Sequence, residues 1–167
     1  AWFLQEYGDR KEELSFRCLF AESMDKEADG VCMAWTEAGT DGSLIPSLHW
    51  LAVGDAKKGQ GMGTALVREA LRVFAGRGEV PVFLHTQPWS YEAVGLYLKA
   101  GFFLCRSETF GTHKNQFQEG IRILEQYLEV DPGCAGRPDP FFSFYWRSLY
   151  ICQAGFFVPS VPMRPKA

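Results

Sequence analysis

The chain has 167 residues, 47% of them hydrophobic and 15% aromatic, enough to bury a core and of a length usual for one globular domain, 1–167. A net charge of -3 at pH 7 gives no global basic field to attract nucleic acid, and no uninterrupted apolar run approaches the ~20 residues of a membrane span. The five cysteines (Cys18, Cys32, Cys105, Cys134 and Cys152) are scattered, with no C-x-x-C pair and no histidine at ligand spacing, so they read as small buried hydrophobes in a reducing, cytoplasmic setting, with no metal expected.

The opening "AWFLQEYG" carries neither an initiator methionine nor a signal-peptide pattern, which leaves a truncated or processed amino end open. Residues 2–14 read as helix interrupted at Gly8. "SFRCLFAES" (15–23) and "GVCMAWTEAG" (30–39) read as strands joined by a charged hairpin connection. After a Gly/Asp/Ser/Pro loop comes a third strand, "LHWLAV" (48–53). A glycine turn follows, then the helix "TALVREALRVFA", whose Leu66, Val67, Ala70, Leu71 and Phe74 recur at helical spacing and which stops at the glycines 76 and 78. "VPVFLHT" (80–86) is nearly continuous in apolar character, as a strand buried on both faces is. Strand, turn, helix and strand make a crossover unit, so 48–53 and 80–86 run parallel or splay from a shared parallel start. A helix from "SYEAVGLYLKA", with Ser90 as N-cap, precedes a strand in "FFLCRSETF". A third helix lies within "KNQFQEGIRILEQYL", with Phe117, Ile121, Leu124 and Leu128 on one face. The aromatic tail beyond residue 140 fits a strand or a helix equally, and its stretch 141–157 is a candidate homodimer surface.

The turn "KKGQGMGT" is neither a phosphate-binding P-loop, whose G-K-[ST] is missing, nor a dinucleotide fingerprint, which needs G-x-G-x-x-G and an acidic residue closing the next strand. The physics common to both remains. Gly59, Gly61 and Gly63 allow close backbone approach, the N–H groups at a helix start favour an anion, and Lys58 adds a positive charge. A plain tight turn would use glycines in the same way.

This turn resembles the [QR]-x-x-G-x-[GA] motif of the GNAT N-acetyltransferase superfamily, which grips the pyrophosphate of acetyl-CoA. "LHTQPWSYEAVGLYLKAGF" (84–102) resembles that superfamily's second motif, which ends A-x-x-L-Y-x-x-x-G-F. The resemblance covers residues 15–103, leaving 104–167 as a helix and aromatic extension. It implies an α/β (α+β) fold with a mixed, mostly antiparallel central sheet flanked by helices, and splayed central strands. Lys58 stands where Gln or Arg is usual, and Ser90 where Asn is common. The family's first strand and first helical region belong before residue 15, where little of them is legible.

The resemblance implies that acetyl-CoA lies along Leu51, Ala52 and Val53, the turn Lys58, Gly59, Gln60, Gly61, Met62, Gly63 and Thr64, and Ser90. It makes Tyr97 the acid that protonates the departing thiolate. A free alkylamine titrates near ~10 and must lose a proton before it attacks. The family's strand glutamate is missing here, but "SLHWLAV" resembles the strand of arylalkylamine N-acetyltransferases that carries histidines, which nominates His49 as the base. A packed strand histidine is the competing reading, and Glu37 and His85 are weaker candidates. Trp50, Trp89 and Tyr91 lean the acceptor pocket toward an apolar or aromatic amine. The implied function is acetyl transfer from acetyl-CoA to a primary amine of a small molecule or peptide. The alternatives are a non-catalytic acyl-CoA sensor or scaffold and, further off, a nucleotide enzyme.

Overall fold

A computed structural model describes residues 2–24, 26–106, 114–130 and 147–151. Helix α1 (Trp2–Tyr7) passes through a 3-10 turn (Gly8–Arg10) into α2 (Lys11–Arg17). A helical region therefore does precede the sheet, and β1 (Cys18–Glu22) starts later than the expected Ser15. Arg17 explains the extra helical turn. Its Nε–H donates to Glu13 one turn back at 2.8 Å, a pairing that supports helix. The same buried guanidinium donates to the Ala34 carbonyl at 2.8 Å and to both Glu79 carboxylate oxygens at 2.8 and 2.6 Å.

The strands β2 (Ala28–Ala38) and β3 (Leu44–Val53) form a long antiparallel hairpin. Its loop is closed by Gly39 N–H to the Ser43 carbonyl (2.7 Å) and by Asp41, which accepts from the Ser43 hydroxyl at 2.6 Å. The expected loop was longer, because Pro46 reads as a strand breaker. In the structure Pro46 sits in the ladder opposite Thr36. It does so before β3 meets its other neighbour, and an edge tolerates a missing donor.

Helix α3 (Met62–Gly76) buries Leu66, Val67, Ala70 and Phe74, with Leu71 half-buried against the same core. Strand β4 (Val82–Thr86) follows, with Val82, Leu84 and Thr86 buried and Phe83 and His85 half-buried. Then come α4 (Tyr91–Lys99), the short β5 (Phe103–Leu104), α5 (Phe117–Leu124) and β6 (Arg147–Ile151). The strand expected over 102–110 is regular only at β5, and residues 107–113 lie outside the described part. Helix α5 is shorter than expected but buries Phe117, Ile121 and Leu124 as the spacing predicts. Of the aromatic tail, β6 is described, and the rest of the candidate dimer surface lies outside the described residues, as do Cys134 and Cys152.

The sheet order is β1-β2-β3-β4-β6-β5. The pairs β1/β2 and β2/β3 are antiparallel, and β3/β4, β4/β6 and β5/β6 are parallel. On one face, Cys32 and Ala34 of β2 and Leu48 of β3 join α3, α4 and α5 in the main core. On the other, Met33 and Trp35 pack with Tyr7 and Leu14 of the amino-terminal helices. The alternation along β2 thus assigns each residue a face.

Candidate active site

Strands β3 and β4 share a single registered pair among the described residues, Ser47 opposite Phe83, and diverge beyond it. On its other side β3 slips against β2: Val31 faces Ala52, but Met33 faces His49, so β3 carries an extra residue. This is a β-bulge, which bends the bulged strand. It centres on Trp50, whose φ of 54° lies in the left-handed region that a bulky residue rarely adopts. The surroundings hold Trp50 there, since its indole N–H donates to the Tyr7 hydroxyl at 2.5 Å. Among the described residues, no strand registers with β3 on the β4 side beyond Ser47. A cavity of about 320 Å³ fills the gap.

His49 and Tyr97 line this cavity together, and they come from opposite faces of the sheet. His49 pairs with Met33, which places it on the face covered by α1 and α2. Tyr97 belongs to the α3–α4 core. The missing ladder between β3 and β4 is what lets the two meet. Burial, and secondarily the nearby Cys32 thiol, pushes the Tyr97 phenol well above its ordinary value, so it stays protonated throughout the physiological range. Burial likewise pushes Cys32 up to about 12, with Cys18 adding to the effect, which leaves Cys32 an inert thiol.

His49 is held by groups from two other elements. Its Nε2 lies 2.7 Å from Glu37 Oε1 and 3.0 Å from Ser47 Oγ, and its Nδ1 lies 3.5 Å from the Tyr7 hydroxyl. Glu37, a weaker candidate from sequence, is therefore the partner of the stronger one. Tyr7 was not legible as a site residue at all. His85 lines the same cavity from β4. Trp50 also lines it and is half-exposed, whereas Tyr91 is stacked on Tyr127 at 4.2 Å and is part of the packing. Trp89 is partly exposed and is not among the residues that line this cavity.

Beyond Val53 the chain makes a 3-10 turn (Asp55–Lys57) and enters the glycine turn. Gly59 and Gly61 have φ of 75° and 83°, and an added Cβ at either would meet nothing within 4 Å. Their backbone is thus left-handed and faces open space, which a ligand can approach. Gly61 is the N-cap of α3, so the N–H groups of Met62, Gly63 and Thr64 are the first-turn donors that an α-helix cannot satisfy internally. Gly63 serves packing as well, because a Cβ there would come within 3.0 Å of Leu96. The Met62 side chain packs against the main core. Lys58 is exposed and paired with Asp55 at 2.6 Å, and the Gln60 amide donates to the Ala56 carbonyl at 3.0 Å. Ser90 sits at the N-cap of α4 without a side-chain cap bond and lines the cavity.

A mixed sheet that opens between β3 and β4, with titratable groups from both faces in the opening, characterises this α/β domain. The acetyltransferase (GNAT) family model matches residues 2–102, and the chain belongs to that family. The match includes α1 and α2, so the family region begins well before residue 15. No curated protein matches the chain. A crystal structure of a Trypanosoma brucei acetyltransferase is similar at 18% identity and a TM-score of 0.46, over 64% of this chain and 75% of that one. Among the described residues no helix is long and apolar enough to cross a membrane.

Proposed function

We propose that this chain transfers the acetyl group of acetyl-CoA to a primary amine of a small molecule or peptide, by direct attack and in a cytoplasmic setting. The observation that carries this reading is the opening between β3 and β4, where His49 and Tyr97 line one cavity. The glycine turn does not line it and meets α4 through Gly63 against Leu96, the residue before Tyr97. The open left-handed glycines 59 and 61 and the first-turn N–H groups suit a pyrophosphate, and Lys58 can turn from Asp55 toward it. The β4-side edge of β3 at Leu51, Ala52 and Val53, where no described strand registers, offers backbone groups to amides of an extended arm, and an N–H there can polarise a carbonyl. Acetyl-CoA supplies an activated thioester.

The acceptor reaches the site as an ammonium, and His49 takes its proton. Tyr97 faces the departing sulfur from the other side of the sheet. A thiol ordinarily titrates near 8.5, below this buried phenol, so the Tyr97 hydroxyl serves the sulfur as a hydrogen-bond donor. It gives up its proton only as burial raises the thiolate in step.

Calorimetric titration of acetyl-CoA into the wild type and a Gly61→Val variant tests the cofactor half. Valine at a φ of 83° is strained by ~1–3 kcal/mol and also intrudes on the open face. Wild-type binding that the folded variant loses supports the site, and equal binding by both overturns it. Release of free CoA thiol across a panel of amines tests the transfer. Binding with no turnover for any amine would favour the acyl-CoA sensor instead.

A further inference from the structure

The hydrogen-bonding inventory around His49 has a direction. An ionised carboxylate can only accept, so the 2.7 Å contact with Glu37 Oε1 puts the imidazole proton on Nε2. Ser47 Oγ, 3.0 Å from the same nitrogen, lies 3.5 Å from Glu37 Oε1 and can donate its own proton there. A neutral imidazole carries one ring proton, which leaves Nδ1 with a lone pair. On that side, the Trp50 indole can only donate. Its 2.5 Å bond into the Tyr7 oxygen leaves the Tyr7 proton to point elsewhere, and Nδ1 of His49 lies 3.5 Å away. That distance is at the long limit of a hydrogen bond, so the bond Nδ1 accepts from Tyr7 is weak and an incoming proton can displace it.

We propose that Glu37 is the positioning residue of this site: it holds His49 as the Nε2–H tautomer and so makes Nδ1 the atom that receives the acceptor's proton, while Tyr7 steadies the ring from α1. The functional half of this inference rests on the acetyl-transfer reading above, and the tautomer does not. In the step itself the acceptor ammonium passes one proton to Nδ1, and its N–H bonding pair becomes the lone pair that attacks the thioester carbonyl carbon. His49 becomes an imidazolium whose Nε2–H still donates to the ionised Glu37, so the new positive charge forms beside a fixed negative one. The carbon–sulfur bond breaks with its pair going to sulfur, which receives the hydrogen bond of Tyr97. The second proton of the former ammonium leaves the new amide nitrogen for the thiolate, giving neutral amide and CoA thiol, and His49 returns the first proton to water.

The test is a two-dimensional 1H–15N spectrum of the full chain labelled in its histidine rings, with the His49 signals assigned by their loss in His49→Gln. The expected pattern is the Nε2–H tautomer with a hydrogen-bonded ring proton, which disappears in Glu37→Ala and returns in Glu37→Asp. An Nδ1–H pattern in the wild type overturns the proposal, and that spectrum decides even if the alanine variant does not fold. In turnover, Glu37→Ala should lower kcat by about 100-fold, the low end for losing a well-placed base. Its acetyl-CoA affinity, measured by calorimetry, should be unchanged. An unaltered kcat in a folded Glu37→Ala overturns the positioning role. The predicted tautomer in a protein that acetylates no amine would sink the acetyl-transfer reading while leaving the hydrogen-bond chain in place.

Discussion

Strands β2 and β3 stay paired from Gly30 opposite Val53 to Ala38 opposite Leu44, whereas β3 and β4 meet at Ser47 opposite Phe83 and then part. The two sides of β3 therefore do different work. A complete ladder insulates one face of a sheet from the other, and along β2 it keeps Cys32 and Ala34 in one core and Met33 and Trp35 in another. Where the ladder is missing, side chains rooted in the two layers reach a common space. Chemistry that needs a base and a hydrogen-bond donor on opposite sides of a reacting carbon fits the unpaired side.

The comparison is broken most severely by removing the base. His49→Gln should lower kcat by ~10²–10⁴-fold while calorimetric acetyl-CoA affinity stays near the wild-type value, because the glycine turn is untouched. A kcat within twofold of wild type would return His49 to the role of a packed strand residue. Next in size is the brace at the closed end of the gap. Arg17 ties α2 to the Ala34 carbonyl and to Glu79, just ahead of β4. Arg17→Met leaves Glu13 with Arg10 and Glu79 with Arg77 but takes the charged donor from both and from the Ala34 carbonyl. It should cost about 2 kcal/mol in urea denaturation, the scale for losing hydrogen bonds to a charged group. A loss under about 1 kcal/mol would be that of an exposed pair and would mean the closed end needs no brace.

Smaller effects sharpen the contrast. Tyr97→Phe keeps the buried ring and its edge-on contact with Phe102 and removes one hydrogen bond to sulfur. It should reduce kcat by about 10-fold with little change in melting temperature, and a large stability loss would instead make its hydroxyl a structural hydrogen-bonding group.

Last comes the pH dependence of the brace. Hydrogen bonding from Arg10, against the opposing effect of burial and with further help from Arg17, holds the Glu13 carboxyl down to about 2, from an ordinary 4.5. For Glu79, burial alone would raise the carboxyl, but hydrogen bonds from Arg17 and Arg77 win and lower it. Both groups are depressed in the fold. Their contribution is fully present above the unfolded carboxylate range and is lost as pH falls, for Glu13 between about 4.5 and about 2. Denaturation midpoints followed over that range should fall less steeply in Glu13→Gln, and parallel curves would rule the linkage out.

How far the site was legible varied by residue. Gly59 and Gly61 stand in a turn whose glycines mark left-handed backbone, which reads directly from sequence, whereas Tyr97 was nominated by the resemblance of its helix to the family's second motif. His49 was nominated from the single strand "SLHWLAV". Its partner was not, because Glu37 lies on the same face as His49 only once the hairpin register pairs Met33 with His49 and Trp35 with Ser47. Parity along β2, Met33, Trp35 and Glu37, could have flagged Glu37 had that register been known. Tyr7 carried no signal, since its α1 segment reads as an interrupted helix and says nothing about which face of the sheet it covers.

The order of strands and helices, the glycine-initiated α3 and the register of α4 were set by sequence alone, because each rests on interactions within a few residues: apolar spacing, backbone conformations that favour glycine, and helix stops. The bulge at Trp50, the parting of β3 from β4 and the Tyr7–His49–Glu37 chain were decided by the tertiary structure. Each depends on which of several registers distant segments adopt. That choice is made by the summed packing of two cores on opposite faces of one sheet, which no single stretch of the chain contains.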